Sequence, residues 1–139
     1  MKIREIMTTR LVTVEEDDEL ESIKRIFDAV KFHHLLVIGS GKKLLGVISD
    51  RDLLRALSPY VGTPSENARD LATLRKHAHQ IMSRQPITLT PEADVTDAAH
   101  LLLTHRVSCI PIVDPGFRPV GIVSWRDVLR ATAGSGTKA

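Results

Sequence analysis

Sliding the 139-residue chain along itself by 75 positions aligns 6–57 with 81–132 without a gap, and this internal repeat limits the possible folds more than any other feature. Eleven of the 52 pairs are identical: Ile6/Ile81, Met7/Met82, Thr13/Thr88, Gly41/Gly116, Gly46/Gly121, Ser49/Ser124, Arg51/Arg126, Asp52/Asp127, Leu54/Leu129, Arg55/Arg130 and Ala56/Ala131. Others keep apolar character, as Val12/Ile87, Ile26/Leu101 and Val47/Ile122 do. The chain is therefore two copies of one unit of about fifty residues.

Each copy reads as strand, helix, strand, strand, helix. A short extended piece (Val12-Thr13-Val14, Ile87-Thr88-Leu89) precedes apolar residues at helical spacing: Leu20, Ile23, Ile26, Phe27 and Val30, then Val95, Ala98, Leu101 and Leu102. Asp18-x-x-Glu21 and Asp94-x-x-Asp97 have the form of capping pairs at the starts of these helices. Two apolar strands follow, 35–38 with 44–48 and 110–113 with 119–123, joined by loops holding Gly39, Ser40, Gly41 and Pro115, Gly116. A second helix is predicted from near Arg51 and near Arg126. The fold class is thus α/β (α+β), two β-α-β-β-α repeats, with boundaries expected at 1–60, 61–80 and 81–132. In the connector, 66–80 has the spacing of a helix with Leu71, Leu74 and Ala78 on one face, and 133–139 is expected to be a disordered tail.

Composition excludes several classes. Nineteen basic against seventeen acidic residues, spread evenly, leave no polybasic arm for nucleic acid or a membrane surface. The longest apolar runs, such as Leu35-Leu36-Val37-Ile38, fall far short of the ~20 residues of a membrane helix. A single cysteine, Cys109, rules out an internal disulfide or a cysteine-based zinc site and suits a reducing compartment. The start of the sequence lacks a signal peptide's apolar core, so a cytoplasmic location is expected.

The strongest chemical pattern is the strand-to-helix turn Gly46-Val47-Ile48-Ser49-Asp50-Arg51-Asp52 and its copy Gly121-Ile122-Val123-Ser124-Trp125-Arg126-Asp127. Such a turn points backbone N–H groups and the positive end of the helix dipole outward, as a phosphate requires, and the serine hydroxyl can join them. A carboxylate three residues on would repel that phosphate but can accept hydrogen bonds from a ribose 2′,3′-diol. Ser-x-x-Asp is equally the spacing of a helix N-cap with an acidic third residue, so on the residues alone both readings stand.

Together with His105-Arg106-Val107-Ser108-Cys109-Ile110-Pro111-Ile112-Val113-Asp114, these turns make the chain resemble a tandem pair of CBS domains, a Bateman module of the stand-alone bacterial type, from about Arg4 to Thr132. The resemblance implies a pseudo-twofold pair of small units packed sheet to sheet. It also implies clefts for an adenosine ligand (AMP, ADP, ATP or S-adenosylmethionine), no required cofactor and no catalysis. Carried over residue by residue, one cleft would use Ser124, Arg126 and Asp127 with Thr8, Leu11, Thr13, Phe32 and His33. The other would use Ser49, Arg51 and Asp52 with Ser83, Pro86, Thr88, Val107 and Ser108, and His33 and His34 stand where some relatives place basic phosphate contacts for it. The first repeat departs from the pattern at Leu36, where the second has Pro111, and at Gly39, where the second has Asp114.

The remaining features have ordinary readings. His77-Ala78-His79 and His33-His34 lack the partners a metal wants. Glu15 to Glu19 with Glu21 reads as a solvated helix start, Cys109 as a buried inert thiol, and Trp125 as a packing residue between subunits or a flank for a base. The function expected is a non-enzymatic sensor of adenine nucleotides that acts as a homodimer on an unidentified partner protein. The alternative is a scaffold of the same fold without a ligand, and an enzyme lacks any supporting motif.

Overall fold

The computed structural model describes residues 1–137. The chain forms two compact units, one of Val12–Ser40 with Leu45–Gln85, the other of Met1–Leu11, Gly41–Leu44 and the chain from Pro86 on. They are called here the Ser49 unit and the Ser124 unit.

In the Ser49 unit, β1 (Thr13–Glu15), α1 (Leu20–Ala29), β2 (His34–Ile38), β3 (Leu44–Ser49) and α2 (Asp50–Ala56) follow in the predicted order. The chain then runs through α3 (Ala68–Ala72), a 3-10 turn (Thr73–Arg75) and α4 (Ala78–Ile81) into β4 (Ser83–Arg84). The sheet has the order β1-β2-β3-β4. β1 lies parallel to β2 with Val14 opposite Val37, and β4 antiparallel to β3 with Ser83 opposite Val47. Alternating apolar residues drive this: Val14, Leu35, Val37 and Ile48 close over Leu20 and Ile23 of α1, Leu53 of α2 and Ala78 of α4.

The Ser124 unit repeats the plan with α5 (Val95–His105), β5 (Cys109–Val113), β6 (Pro119–Ser124) and α6 (Trp125–Thr137). β5 and β6 pair antiparallel from Cys109 opposite Ser124. The outer strands shrink to single bridges, Leu89 parallel to Ile112 and Thr8 antiparallel to Ile122. Those bridges sit 75 residues from Val14·Val37 and Ser83·Val47, so the pairing scheme repeats where strand length does not. The core is Ile3, Ala98, Leu102, Ile110, Ile112, Val123 and Val128.

The compact units thus cut across the sequence repeat, because the stretch before each repeat packs on the other repeat's elements. Ile3 N–H bonds Ala93 O at 2.8 Å, and its copy, Ala78 N–H, bonds Asp18 O at 2.8 Å. Three further expectations change. The connector is no single helix over 66–80. Lys76 is extended (ψ 153°) because its carbonyl accepts from Leu20 N–H at 2.8 Å, and Leu71 is left exposed while Ala78 is buried. Asp18 does not cap α1, whose first flanking residue is Glu19; its carboxylate instead accepts from Glu15 N–H. Helical backbone runs on through 133–137, where a disordered tail was expected, since each further residue adds a bond to a helix already nucleated; 138–139 lie outside the described residues.

Candidate functional site

Each β-strand carrying the glycine ends in a serine with extended backbone, and the helix starts at the next residue. Ser49 (φ −91°, ψ 163°) accepts through Oγ from Asp52 N–H at 3.0 Å, and Asp52 Oδ2 accepts from Ser49 N–H at 2.9 Å. The copy is the same device: Ser124 N–H and Oγ–H donate to Asp127 Oδ2 at 2.8 and 3.1 Å, and Asp127 N–H reaches Ser124 Oγ at 3.4 Å. Both are filled capping boxes. The first helical N–H of each turn is also engaged, Asp50 to His33 O at 3.0 Å and Trp125 to Ser108 O at 3.4 Å. In each turn the first and third helical N–H groups are therefore already engaged, where free donors for a phosphate were expected. Beside them the turn presents side chains, namely the aspartate and the exposed Arg51 or Arg126.

The box also orients the aspartate. With Oδ2 fixed on the serine, Asp52 Oδ1 has no hydrogen bond or ion pair among the described residues, whereas Asp127 Oδ1 has only Arg130 at 3.9 Å, an arginine whose side chain is 78% exposed. Such a pair in solvent contributes about 0–1 kcal/mol and yields easily to a better partner.

Beside Ser49 the structure gathers Arg51, Asp52, His33 and His34, with Ser83 on β4 two residues back along the ladder. His33 Nδ1 lies 3.0 Å from Asp50 Oδ2, a partner that went unseen in the sequence because it is seventeen residues away and reads as part of the turn. That hydrogen bond is the main reason the Asp50 carboxyl sits below its ordinary range. Burial pushes the His34 imidazole below its usual value, against an upward pull from Asp50 and Asp52. His33 thus stands against a carboxylate, and burial works against a charge on His34.

Beside Ser124 the corresponding side chains are Ser108, Cys109 and Trp125. Trp125 packs on the core of its own unit, and burial pushes the Cys109 thiol up to about 12, the inert state expected. Thr8 bridges to Ile122, two residues before Ser124. Of the other expected residues, Thr13 and Phe32 belong to the Ser49 unit, and Leu11, Pro86, Thr88 and Val107 to the Ser124 unit. Among the described residues no group of three or more His, Cys, Asp or Glu side chains is placed to hold a metal; His77 and His79 stack on each other at 5.6 Å. Among the described residues no helix is long and apolar enough to cross a membrane.

A cavity adjoins Asp127. It has a volume of about 470 Å³, and Asp127 and Arg130 form part of its wall.

Two copies of a strand-to-helix Ser-x-x-Asp turn on a β-α-β-β-α unit define a repeat module whose paired sites are built from helix caps. The chain belongs to the CBS domain family: the family model matches twice, over 3–59 and 78–134. A CBS domain-containing protein of Dictyostelium discoideum is 32% identical over 129 residues, covering 91% of this chain and 88% of that one. The CBS domain of a membrane protein from Sphaerobacter thermophilus shares the fold with a TM-score of 0.81 at 31% identity, over 94% of this chain and 86% of that chain. CBSX2, a CBS-pair protein of Arabidopsis thaliana, solved in complex with AMP, gives a TM-score of 0.80 at 26% identity, over 97% of this chain and 98% of that one.

Proposed function

We propose that this chain is a non-catalytic regulatory module that binds an adenosine ligand, AMP, ADP, ATP or S-adenosylmethionine, through Asp52 and Asp127. The observation that carries the reading is the capping box. It holds each carboxylate by one oxygen and leaves the other without a strong partner, poised for a ribose diol. The AMP bound by CBSX2 supports the same class of ligand. Arg51 and Arg126, one residue before each aspartate, are the cations available to a 5′-phosphate. His33, His34, Ser83, Thr8 and Ser108 are the neighbours available to the rest of the ligand.

The module acts as a homodimer in the cytoplasm, handing ligand occupancy to a partner protein through altered packing. Leu54 and Leu129, equivalent in the two repeats, are 73% and 60% exposed and support self-association. A second reading, a ligand-free scaffold, is favoured by one fact: the serines and aspartates already have a structural task as caps.

Thermal melts with AMP, ATP and S-adenosylmethionine separate the two. A ligand at a hundred times its dissociation constant should add ~2.7 kcal/mol to the wild type. Asp52→Asn and Asp127→Asn keep an oxygen for the cap and lose the charge, so combined they should abolish the shift without unfolding the protein. No shift with any of the three favours the scaffold.

A further inference from the structure

We propose that the cavity beside Asp127 receives the amino-acid arm of an adenosyl ligand, a zwitterion of α-ammonium and α-carboxylate carried on the ribose. The proposal rests on the reading of Asp127 as the ribose carboxylate. It assigns to that one site a ligand class that polyphosphate nucleotides do not share.

The cavity lies wholly within the Ser124 unit, and at about 470 Å³ it falls in the range of small-molecule sites. One wall comes from the N-terminal segment, with Met1 and Ile6 apolar and Glu5 acidic. The other is a stripe of α6 at helical spacing, Asp127, Arg130, Ala131 and Gly134. Opposite charges thus enter from different elements, with the ribose candidate in the same wall. Glu5 uses one carboxylate oxygen on Lys2 N–H at 2.5 Å and keeps the other. Among the described residues Arg130 has only its loose contact to Asp127, and it can turn to clamp a carboxylate through two N–H groups. Among the described residues, a polyphosphate there would face Glu5 and Asp127 with Arg130 as the Lys or Arg of the lining. A zwitterion meets one group of each sign, and its methylenes meet Met1 and Ile6.

The sister repeat shows that this is no automatic product of the fold. Seventy-five residues on, Glu5 becomes Gln80, which does the same backbone task by accepting from His77 N–H at 2.7 Å but brings no charge. Met1 becomes Lys76, whose Nζ bonds the carbonyl of Ala56, the counterpart of Ala131, at 3.1 Å and so lies across the equivalent space. Helix α2 ends at Ala56, one turn short of the position that Gly134 holds in α6. Among the described residues, the acidic and basic pair beside an open space distinguishes the Ser124 unit from its sister.

Calorimetric titration with S-adenosylhomocysteine, 5′-methylthioadenosine and ATP tests this, because the first two share adenosine and thioether and differ by the amino-acid arm. The wild type should bind S-adenosylhomocysteine about tenfold more tightly than 5′-methylthioadenosine, the size of a charge-assisted hydrogen bond. Glu5→Gln, a change the sister repeat already tolerates, and Arg130→Gln should each remove most of that preference and leave 5′-methylthioadenosine affinity within about threefold. Gly134→Leu fills the space, since a Cβ there meets nothing within 4 Å, and should remove the preference without lowering the melting temperature. Equal affinity for the two thioethers in the wild type, or equal losses for both in Glu5→Gln and Arg130→Gln, overturns the assignment. Should all adenosine ligands bind through Asp127, judged by Asp127→Asn, yet show no dependence on Glu5 or Arg130, the arm assignment fails and the ribose reading survives. If none binds, both fail.

Discussion

His34 carries the clearest residue-level consequence. Burial holds its folded-state pKa below the ordinary 6.5, so as pH falls the unfolded chain takes the proton first. Its contribution to stability is thus fully present above about 6.5 and drains away as pH drops from there through the lower folded value. Asp50 acts in a separate window: its lowered pKa favours the fold above 3.8, and that gain is lost only as acid reaches the still lower folded value. Urea midpoints at pH 8 and pH 5.5 bracket the His34 window and lie above that of Asp50. The wild type should lose stability between them, and His34→Gln should lose clearly less; an identical drop in both removes His34 as the cause. The residue scale also shows the limit of sequence reading. Ser49, Asp52 and their copies were legible because they recur at a fixed offset. The His33–Asp50 pair and the shared cavity of Glu5 and Arg130 were not, since each joins residues far apart in the chain through the way two elements pack.

At the scale of elements, the two glycines before the serines mark a close approach of chain segments. A Cβ on Gly46 would lie 2.7 Å from Ser83 O and 2.7 Å from Met82 Sδ, whereas the three atoms nearest one on Gly121 all belong to the side chain of Met7, the first at 2.5 Å. Backbone cannot step aside as a methionine can. Gly46→Ala should therefore cost roughly 1–3 kcal/mol, as overpacking does, and Gly121→Ala distinctly less. Chemical denaturation of the two variants decides it, and equal losses contradict the contact geometry. Helices and long strands announced themselves by apolar period, so both repeats were readable almost to the residue. β4 and the Thr8 bridge were not, because one ladder pair or two carry no alternation to read. The connector misled for a related reason: Leu71, Leu74 and Ala78 have helical spacing, but the Lys76 carbonyl is claimed by Leu20, and a tertiary bond of that kind breaks the helix the local pattern favours.

For the whole molecule, Leu54 and Leu129 offer a direct handle on assembly. Each lies on the second helix of its repeat, turned away from the core that takes Leu53 and Val128. As exposed residues they contribute little to the folded monomer, so Leu54→Glu with Leu129→Glu should leave the melting temperature nearly unchanged. Sedimentation should give twice the 15.4 kDa chain mass for the wild type and the single-chain mass for the double variant. A wild-type mass of one chain at tens of micromolar contradicts the homodimer.

The central claim is that capped aspartates hold a ribose, and the most direct measurement compares AMP with 2′-deoxy-AMP by calorimetry on the wild-type protein. Losing a hydrogen bond to a carboxylate costs roughly 1.5–3 kcal/mol, so the deoxynucleotide should bind about tenfold more weakly or worse. That gap should vanish in the Asp52→Asn, Asp127→Asn double variant. Equal affinity of the wild type for the two nucleotides would contradict the account.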